Sequence, residues 1–188
     1  LDALQRLFPD AEYRLAPDYV AVALASFDAD VVVLAGTGSV VVSRTSEGLA
    51  TTGGLGHLLG DRGSAFRYGQ ALLEHILLHG LSEMPNYVLD DLRAAFGSSR
   101  RADIIRTVYG HAGAVAIIAR LAPTLSRLAS DQFSFAMQFV DEQADALAKD
   151  VAVHVERYLD LSVLRAEAAG GVWQSAPIYE SFQRCLQA

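Results

Sequence analysis

Two short glycine-rich segments contain the residue types that most directly suggest ligand binding. The first, Gly36-Thr37-Gly38-Ser39, lies between two β-branched runs. Glycines allow a turn whose backbone N–H groups point outward, and such a turn can bind an anion such as phosphate. Thr37 and Ser39 add hydroxyl donors. A hairpin with a hydrophilic tip explains the same residues, and the segment lacks the Gly-Lys-Ser or Gly-Lys-Thr ending of a Walker A loop.

The second segment, residues 53–64, contains five glycines before Ser64. This density predicts a loop rather than a regular element, because glycine-rich backbone is costly to order in a helix or strand. Asp61 has two interpretations: it caps or electrostatically favours the following helix, or it accepts hydrogen bonds from a polyol. His57 is more simply explained as a structural imidazole than as a catalyst, and we expect no metal site here.

Two further positions could take part in chemistry. Asp18 follows Pro17 at the predicted start of a helix, where it is either an N-cap or a carboxylate placed to act as a general base. Gly170-Gly171 joins a predicted strand to a predicted helix, and paired glycines there allow a ligand to approach the backbone closely. A tight structural turn explains these glycines equally well. Trp173 beside them is predicted to pack, although it could also lie near a nucleotide.

The elements that must position these residues follow from hydrophobic periodicity. Residues 30–35 form a β-branched run typical of a strand buried on both faces, and residues 40–44 and 49–52 complete an antiparallel meander. From Ser64, a predicted N-cap, the pattern becomes helical. Further helices are expected over 87–96, 102–109, 112–121, from Pro123, over 133–159 and from Ala176, with a short strand over 162–169. The predicted fold is α/β, a short β-meander followed by a mostly helical bulk.

Composition limits the class of protein. The 188 residues are 52% hydrophobic and 20% charged, with a formal net charge of −7. These values suit a compact folded domain and disfavour non-specific nucleic-acid binding, because an acidic surface repels phosphates. A single cysteine, Cys185, excludes an internal disulfide framework and a cysteine-rich zinc site. The sequence shows neither a membrane span nor a signal peptide, so we expect a cytoplasmic protein with neither nucleic acid nor membrane as a partner.

The order and separation of these segments resemble one family. Asp18, residues 33–39, residues 53–64 and residues 169–173 follow one another as in the N-acetylglucosamine kinase and BadF/BadG-type ATPase family, part of the actin-like, sugar-kinase and Hsp70 ATPase superfamily. The glycine-rich segment is the most specific piece, and the resemblance extends from about Leu15 to the end of the chain. It implies an actin-like ATPase (ribonuclease H-like) domain.

The resemblance also implies a role for each matched position. Asp18 would be the catalytic base that takes the proton from the accepting hydroxyl. The positions implied to bind ATP are Gly36, Thr37, Gly38, Ala119, Gly170 and Gly171. The positions implied to line the sugar site are Ser39, Gly54, Leu55, Gly56 and Asp61. Mg²⁺ would accompany ATP, with no direct metal ligand assigned in this chain. Leu55 departs from the aromatic residue usual in amino-sugar kinases, and Arg62 replaces a usual Glu.

The implied function is ATP-dependent phosphorylation of an amino sugar, N-acetylglucosamine at its 6-hydroxyl. The first phosphate loop of the family, of the Asp-x-Gly-x-Thr type, is not found in the sequence, and the chain does not begin with Met. We therefore expect the carboxy-terminal part of a longer kinase, incomplete as an enzyme by itself. Residues 1–29 would be the last part of the amino-terminal lobe, and residues 30–188 would form the carboxy-terminal lobe.

Two other functions stay open at this point. One is an ATPase that activates a reductase or dehydratase, a class that bridges a metal cluster through cysteines; Cys185, near the end of the chain, offers no evident ligand. The other is a non-catalytic domain that binds a sugar or a nucleotide. A homodimer through the helix at 133–159 is a further alternative, although the apolar stripe of that helix is more simply explained as core.

Overall fold

The structure, a computed structural model, describes residues 2–12, 16–26, 28–160 and 163–187. Leu15, where the resemblance begins, and Ser162, where the last predicted strand begins, lie outside these ranges. The helices are α1 (Asp2–Leu7), α2 (Asp18–Ala25), α3 (Gly56–Leu59), α4 (Ala65–His79), α5 (Asn86–Phe96), α6 (Arg101–Gly110), α7 (Ala114–Ala119), α8 (Ala122–Ser130), α9 (Ser134–Tyr158) and α10 (Ala176–Gln187). The strands are β1 (Val31–Ala35), β2 (Ser39–Thr45), β3 (Gly48–Gly53) and β4 (Ala166–Ala169).

The strands form one mixed sheet in the order β3-β2-β1-β4. β1 pairs with β2 and β2 with β3 in antiparallel orientation, which confirms the predicted meander. β4 pairs with β1 in parallel, with Val31 opposite Ala166 and Leu34 opposite Ala169. Because the two strands are parallel, the turns that follow them leave the sheet at the same edge.

Both faces of the sheet are covered, as the β-branched run predicted. Val31 and Val33 pack with Leu147 of α9 on one face. Val32 packs with Ala23 of α2 on the other face. Alternate residues of a strand point to opposite faces, so a strand covered on both sides is apolar at every position. The valine run of β1 is therefore explained by the helices on its two faces.

The larger core lies among the helices. Buried side chains of α4, α8 and α9 form its centre, and the apolar stripe predicted over 133–159 is packed within the chain. Helices α4 and α7 approach very closely at Gly69, where a Cβ atom would lie 1.9 Å from the Ile118 carbonyl oxygen. Within the described ranges, no helix combines the length and the apolar character that a bilayer crossing requires.

Two element boundaries differ from the sequence prediction. The glycine-rich segment is not entirely a loop, because a single helical turn, α3, closes where Gly60 N–H donates to the Gly56 carbonyl at 2.8 Å. Gly56 has a φ of +76°, which glycine adopts without strain, and this allows the turn to begin there. The helix predicted over 112–121 is shorter in the structure, since α7 begins after Gly113 and α8 starts three residues after α7 ends.

His154 is a fully buried polar residue between α9 and the meander, and its position was not predicted from the sequence. Its Nδ1 lies 2.9 Å from Thr52 Oγ1, and its Nε2 lies 2.9 Å from Ser43 Oγ. A neutral imidazole donates from one nitrogen and accepts at the other, and a hydroxyl can serve in either role. Burial lowers the pKa of His154, because it disfavours the charged ring.

We expect this histidine to make folding stability depend on pH. Its folded-state pKa lies below the ordinary value of 6.5. As the pH falls through about 6.5, His154 in the unfolded chain is therefore protonated before His154 in the folded protein. The contribution of His154 to folding stability is fully present above this pH and is lost below it. Urea denaturation between pH 8 and pH 5 should show a weaker pH dependence for His154→Gln than for the wild type. The exposed His111→Gln variant should keep the wild-type dependence; equal slopes for wild type and His154→Gln would contradict the assignment.

Candidate functional site

A cleft of about 890 Å³ lies beside the sheet edge at which β1 and β4 end. Four segments line it: the turn after β1, the start of α4, the α7–α8 region and residues 171–178. The lining residues that the sequence analysis singled out are Gly36, Thr37, Ala119 and Gly171. Residues from three distant parts of the sequence are thus brought to one cavity.

The turn after β1 packs against the first turn of α4. Ala65 N–H donates to the Gly36 carbonyl at 2.8 Å, and Phe66 N–H donates to the Thr37 carbonyl at 3.2 Å. A trans peptide places its N–H opposite its C=O, so the amides of Thr37 and Gly38 point away from α4. Neither amide has an acceptor among the residues that the structure describes, and the Thr37 side chain is exposed. Two N–H groups and one hydroxyl are therefore available to an anion.

The second glycine turn needs glycine at its first position. Gly170 has a φ of +107°, and a Cβ atom there would lie 2.3 Å from the Ala35 carbonyl oxygen. The backbone of this turn therefore lies directly against the end of β1. At Gly171, in contrast, no atom lies within 4 Å of the position of a Cβ atom. Only the second glycine faces open space, and it is this residue that lines the cleft.

Trp173 fixes the position of the same turn. Its indole Nε1–H lies 3.1 Å from the Val33 carbonyl oxygen and 2.9 Å from the Ala169 carbonyl oxygen, so one donor contacts both parallel strands. The ring packs against Phe182 of α10 at a centroid separation of 4.8 Å. Trp173 is not among the cleft-lining residues. Its packing role is therefore the one that the structure supports.

The helical wall of the cleft carries positive charge. Among the described lining residues, the charged side chains are two arginines, Arg120 and Arg127, and no carboxylate is present. The Arg127 guanidinium lies 3.8 Å from the centroid of the Tyr87 ring. The Tyr87 hydroxyl donates to Asp131 at 2.8 Å, and burial together with this carboxylate raises the pKa of Tyr87 to about 12. In a chain with a net charge of −7, this wall favours an anionic ligand.

The two arginines were not predicted as site residues. Arg120 lies in the junction between α7 and α8, Arg127 lies within α8, and neither belongs to a recognisable motif. Both arginines line one cavity because α7 and α8 pack against α4 and the second glycine turn, and this packing is not evident from the sequence.

The residues predicted to line the sugar site divide into two groups, of which the first is buried. Asp61 is 7% exposed and has a left-handed φ of +57°. Its Oδ1 accepts a hydrogen bond from Ser39 N–H at 3.4 Å. The hydroxyl of Ser39 donates to the Arg62 carbonyl at 2.7 Å, so it is already engaged within the protein. The cap interpretation of Asp61 is wrong, because Ser64 Oγ caps α4 by accepting from Arg67 N–H at 3.3 Å.

The second group is exposed. Gly54, Leu55 and Gly56 lie on the surface, and the Leu55 side chain is 64% exposed. Leu58 and Leu59 of α3 are also exposed, so this part of the segment presents an apolar surface. These residues do not line the 890 Å³ cleft. The glycine-rich segment therefore has a buried end next to the turn after β1 and an exposed end apart from the cleft.

Asp18 and His57 stand apart from the cleft. Pro17 occupies the cap position of α2, and Asp18 is its first residue, so the N-cap interpretation of Asp18 is wrong. The Asp18 carboxylate is exposed and accepts a hydrogen bond from Tyr19 N–H at 2.9 Å. Within the described ranges, no hydrogen bond or ion pair joins Asp18 to another predicted site residue. His57 packs edge-on against Phe66, with ring centroids 5.1 Å apart, which fits a structural role.

The fold is similar to that of solved structures named as proposed N-acetylglucosamine kinases. The protein from Chromobacterium violaceum matches with a TM-score of 0.60 and 21% identity over 86% of this chain and 54% of its own. The protein from Porphyromonas gingivalis matches with a TM-score of 0.65 and 22% identity over 89% of this chain and 55% of its own. The chain therefore spans about half the length of these structures. It shares their fold, which is consistent with the predicted α/β fold of a short β-meander followed by a mostly helical bulk.

Other comparisons add little. A third solved structure is component A of (R)-2-hydroxyglutaryl-CoA dehydratase from Acidaminococcus fermentans. It is 13% identical over 89% of this chain and 56% of its own, and its TM-score of 0.39 is too low to indicate a shared fold. No protein-family model and no curated protein matches the chain.

The two glycines of the second turn should respond differently to alanine. Gly170→Ala forces a Cβ atom against the Ala35 carbonyl in a backbone conformation unfavourable for alanine, so we expect a loss of about 2 kcal/mol or more in unfolding free energy. Gly171→Ala, with open space at this position, should change it by less than about 1 kcal/mol. Urea denaturation of both variants measures the difference. Similar losses would show that the β1 contact does not constrain this turn.

Proposed function

We propose that this chain carries the nucleotide-binding part of an ATP-dependent kinase that phosphorylates an amino sugar, with N-acetylglucosamine, phosphorylated at its 6-hydroxyl, as the first substrate to test. The observation that carries the proposal is the meeting of two glycine turns at one sheet edge, where Thr37 and Gly171 line the same cleft. The fold shared with proposed sugar kinases supports the same choice.

In this proposal the triphosphate binds at the turn after β1. The amides of Thr37 and Gly38 and the Thr37 hydroxyl donate to phosphate oxygens, because these donors have no acceptor within the described part of the protein. The adenine binds beside Ala119 and Gly171, which both line the cleft. Arg120 and Arg127 add positive charge along the helical wall. Phosphoryl transfer depends mainly on alignment and charge stabilisation, which such donors supply.

Magnesium accompanies the nucleotide in this proposal. Within the described residues, no group of three or more His, Cys, Asp or Glu side chains could hold a metal ion. Mg²⁺ commonly retains several water ligands and binds through phosphates with one or two carboxylates. We propose that the ion arrives bound to the phosphates, where its chemical contribution would be to neutralise phosphate charge.

The residues proposed to bind and activate the accepting sugar are supported mainly by the resemblance to the kinase family. Asp18 is proposed as the base that takes the proton of the accepting hydroxyl, and its carboxylate is exposed and accessible. Gly54, Leu55, Gly56 and Asp61 are proposed to contact the sugar. Ser39 is also proposed to line the sugar site, with its hydroxyl donating to the Arg62 carbonyl rather than to the sugar.

No specific observation favours the ATPase-activator alternative. Cys185, a residue of α10, is partly buried against the core that includes residues of α9, and burial raises the pKa of its thiol. The non-catalytic alternative is separated from the kinase by a turnover assay.

The Thr37 hydroxyl provides the first test of nucleotide binding. Thr37→Ala should weaken binding of Mg-ATP about 10-fold, since a hydrogen bond to a charged group contributes about 1.5 kcal/mol. Adenosine, which lacks phosphates, should bind the variant and the wild type equally. Isothermal titration calorimetry with both ligands measures this. Ser46→Ala, at the exposed turn between β2 and β3, is the matched control. Equal ATP affinities for the two variants would contradict phosphate binding at this turn.

The Asp18 carboxylate provides the test of catalysis. In the intact protein, Asp18→Asn should leave nucleotide and sugar binding nearly unchanged and lower turnover about 100- to 10,000-fold, because the amide cannot accept the hydroxyl proton. A coupled ADP-release assay with a panel of hexoses and hexosamines measures turnover. Asp10→Asn, another exposed carboxylate, is the control. A normal rate for Asp18→Asn would reject the base, and no sugar-stimulated turnover by the wild type would reject the kinase.

A further inference from the structure

Ser39 is the first residue of β2 and connects the turn after β1 to both ends of the glycine-rich loop 54–62. Its carbonyl accepts from Gly54 N–H at 3.0 Å, at the start of the loop. Its hydroxyl donates to the Arg62 carbonyl at 2.7 Å, and its N–H donates to Asp61 Oδ1 at 3.4 Å, both at the end of the loop. With only 6% of its surface exposed, Ser39 closes the base of this loop.

The contact with the turn is also steric. A Cβ atom at Gly38 would lie 2.9 Å from Asp61 Oδ2, so the carboxylate lies directly against the backbone of the turn. Gly38 is the residue whose free N–H points away from α4. A displacement of Asp61 therefore changes the position of a donor that the proposed function assigns to phosphate.

The end of the loop has further contacts, beyond those to Ser39, with other parts of the protein. The Arg67 guanidinium donates to the Gly60 carbonyl at 2.9 Å, and Gly63 N–H donates to Gln143 Oε1 of α9 at 3.0 Å. Leu55 and Leu58, at the other end, are exposed. These exposed side chains are accessible to a ligand, and Ser39 links both ends of the loop to the turn after β1.

We propose that Ser39 is a positioning residue that couples the nucleotide cleft to the loop 54–62, so that a ligand at one orders the other. The inference deepens the proposed function and rests on it for the identity of the two ligands. Phosphates bound at Thr37 and Gly38 fix the turn, and Ser39 then fixes both ends of the loop. A second ligand that needs the ordered loop binds more tightly as a result, and linkage makes the effect reciprocal.

Hydrogen exchange measured by mass spectrometry tests the coupling with a non-hydrolysable ATP analogue and Mg²⁺ as the probe. In the wild type, the analogue should slow amide exchange at residues 54–62 about fivefold or more, although this loop does not line the cleft. In Ser39→Ala, the analogue should still bind and protect the cleft, but the protection of the loop should be lost. Thr45→Ala is the matched control, because the Thr45 hydroxyl also donates to a backbone carbonyl, that of Gly48, at the opposite end of β2.

A second pair of variants keeps the test decisive if Ser39→Ala does not fold. Asp61→Asn retains an acceptor for Ser39 N–H and tolerates the left-handed backbone, so it should keep the loop protection. Asp61→Ala should reduce it. Equal loop protection in the wild type, Ser39→Ala and Asp61→Ala would overturn the coupling while leaving nucleotide binding intact.

Failure of the proposed function gives a different result. If the wild type binds no analogue, the nucleotide assignment is rejected, and the connection through Ser39 is judged without ligand. Ser39→Ala should then accelerate exchange at residues 36–38 and 54–62 together, relative to Thr45→Ala. Acceleration at only one of the two segments would overturn the connection.

Discussion

The parallel pairing of β1 with β4 determines where the cleft can form. Parallel strands end at the same edge, so two glycine turns from distant parts of the sequence become neighbours. The pairing is close at this edge, because Gly170 leaves no room for a side chain against the Ala35 carbonyl. Trp173 donates to a carbonyl of each strand and holds the second turn in place. The open position of Gly171 in the cleft follows from this arrangement.

The turn after β1 contacts both the cleft, which Gly36 and Thr37 line, and the glycine-rich loop, which contacts Gly38 and Ser39. On one side of it lie outward-facing amides and a wall with two arginines, within a protein of net charge −7. On the other side lies a buried carboxylate, Asp61, which contacts the same backbone. A single short turn therefore connects an anion-binding surface with a loop whose far end is exposed. This arrangement suits a protein that brings a nucleotide and a second ligand together.

Much of the fold was predictable from local patterns. The valine runs of β1 and β2 predicted the meander, and Ser64 predicted the start of α4, because strand burial and helix capping are decided by neighbouring residues. The sequence could not show that β4 pairs with β1, that α3 forms within the glycine-rich segment, or that His154 is buried. The same limit applies to the site. The resemblance predicts that Thr37 binds ATP, and Thr37 lines the cleft. The engagement of the Ser39 hydroxyl and the convergence of Arg120 and Arg127 could not be predicted, because they depend on contacts between distant segments.

The most direct test of the account is a crystal structure of the protein with a non-hydrolysable ATP analogue and Mg²⁺. We expect phosphate oxygens within hydrogen-bond distance of the Thr37 and Gly38 amide nitrogens. We expect the adenine to lie beside Ala119 and Gly171. An analogue bound elsewhere on the protein, or bound in the cleft with its phosphates away from this turn, would contradict it.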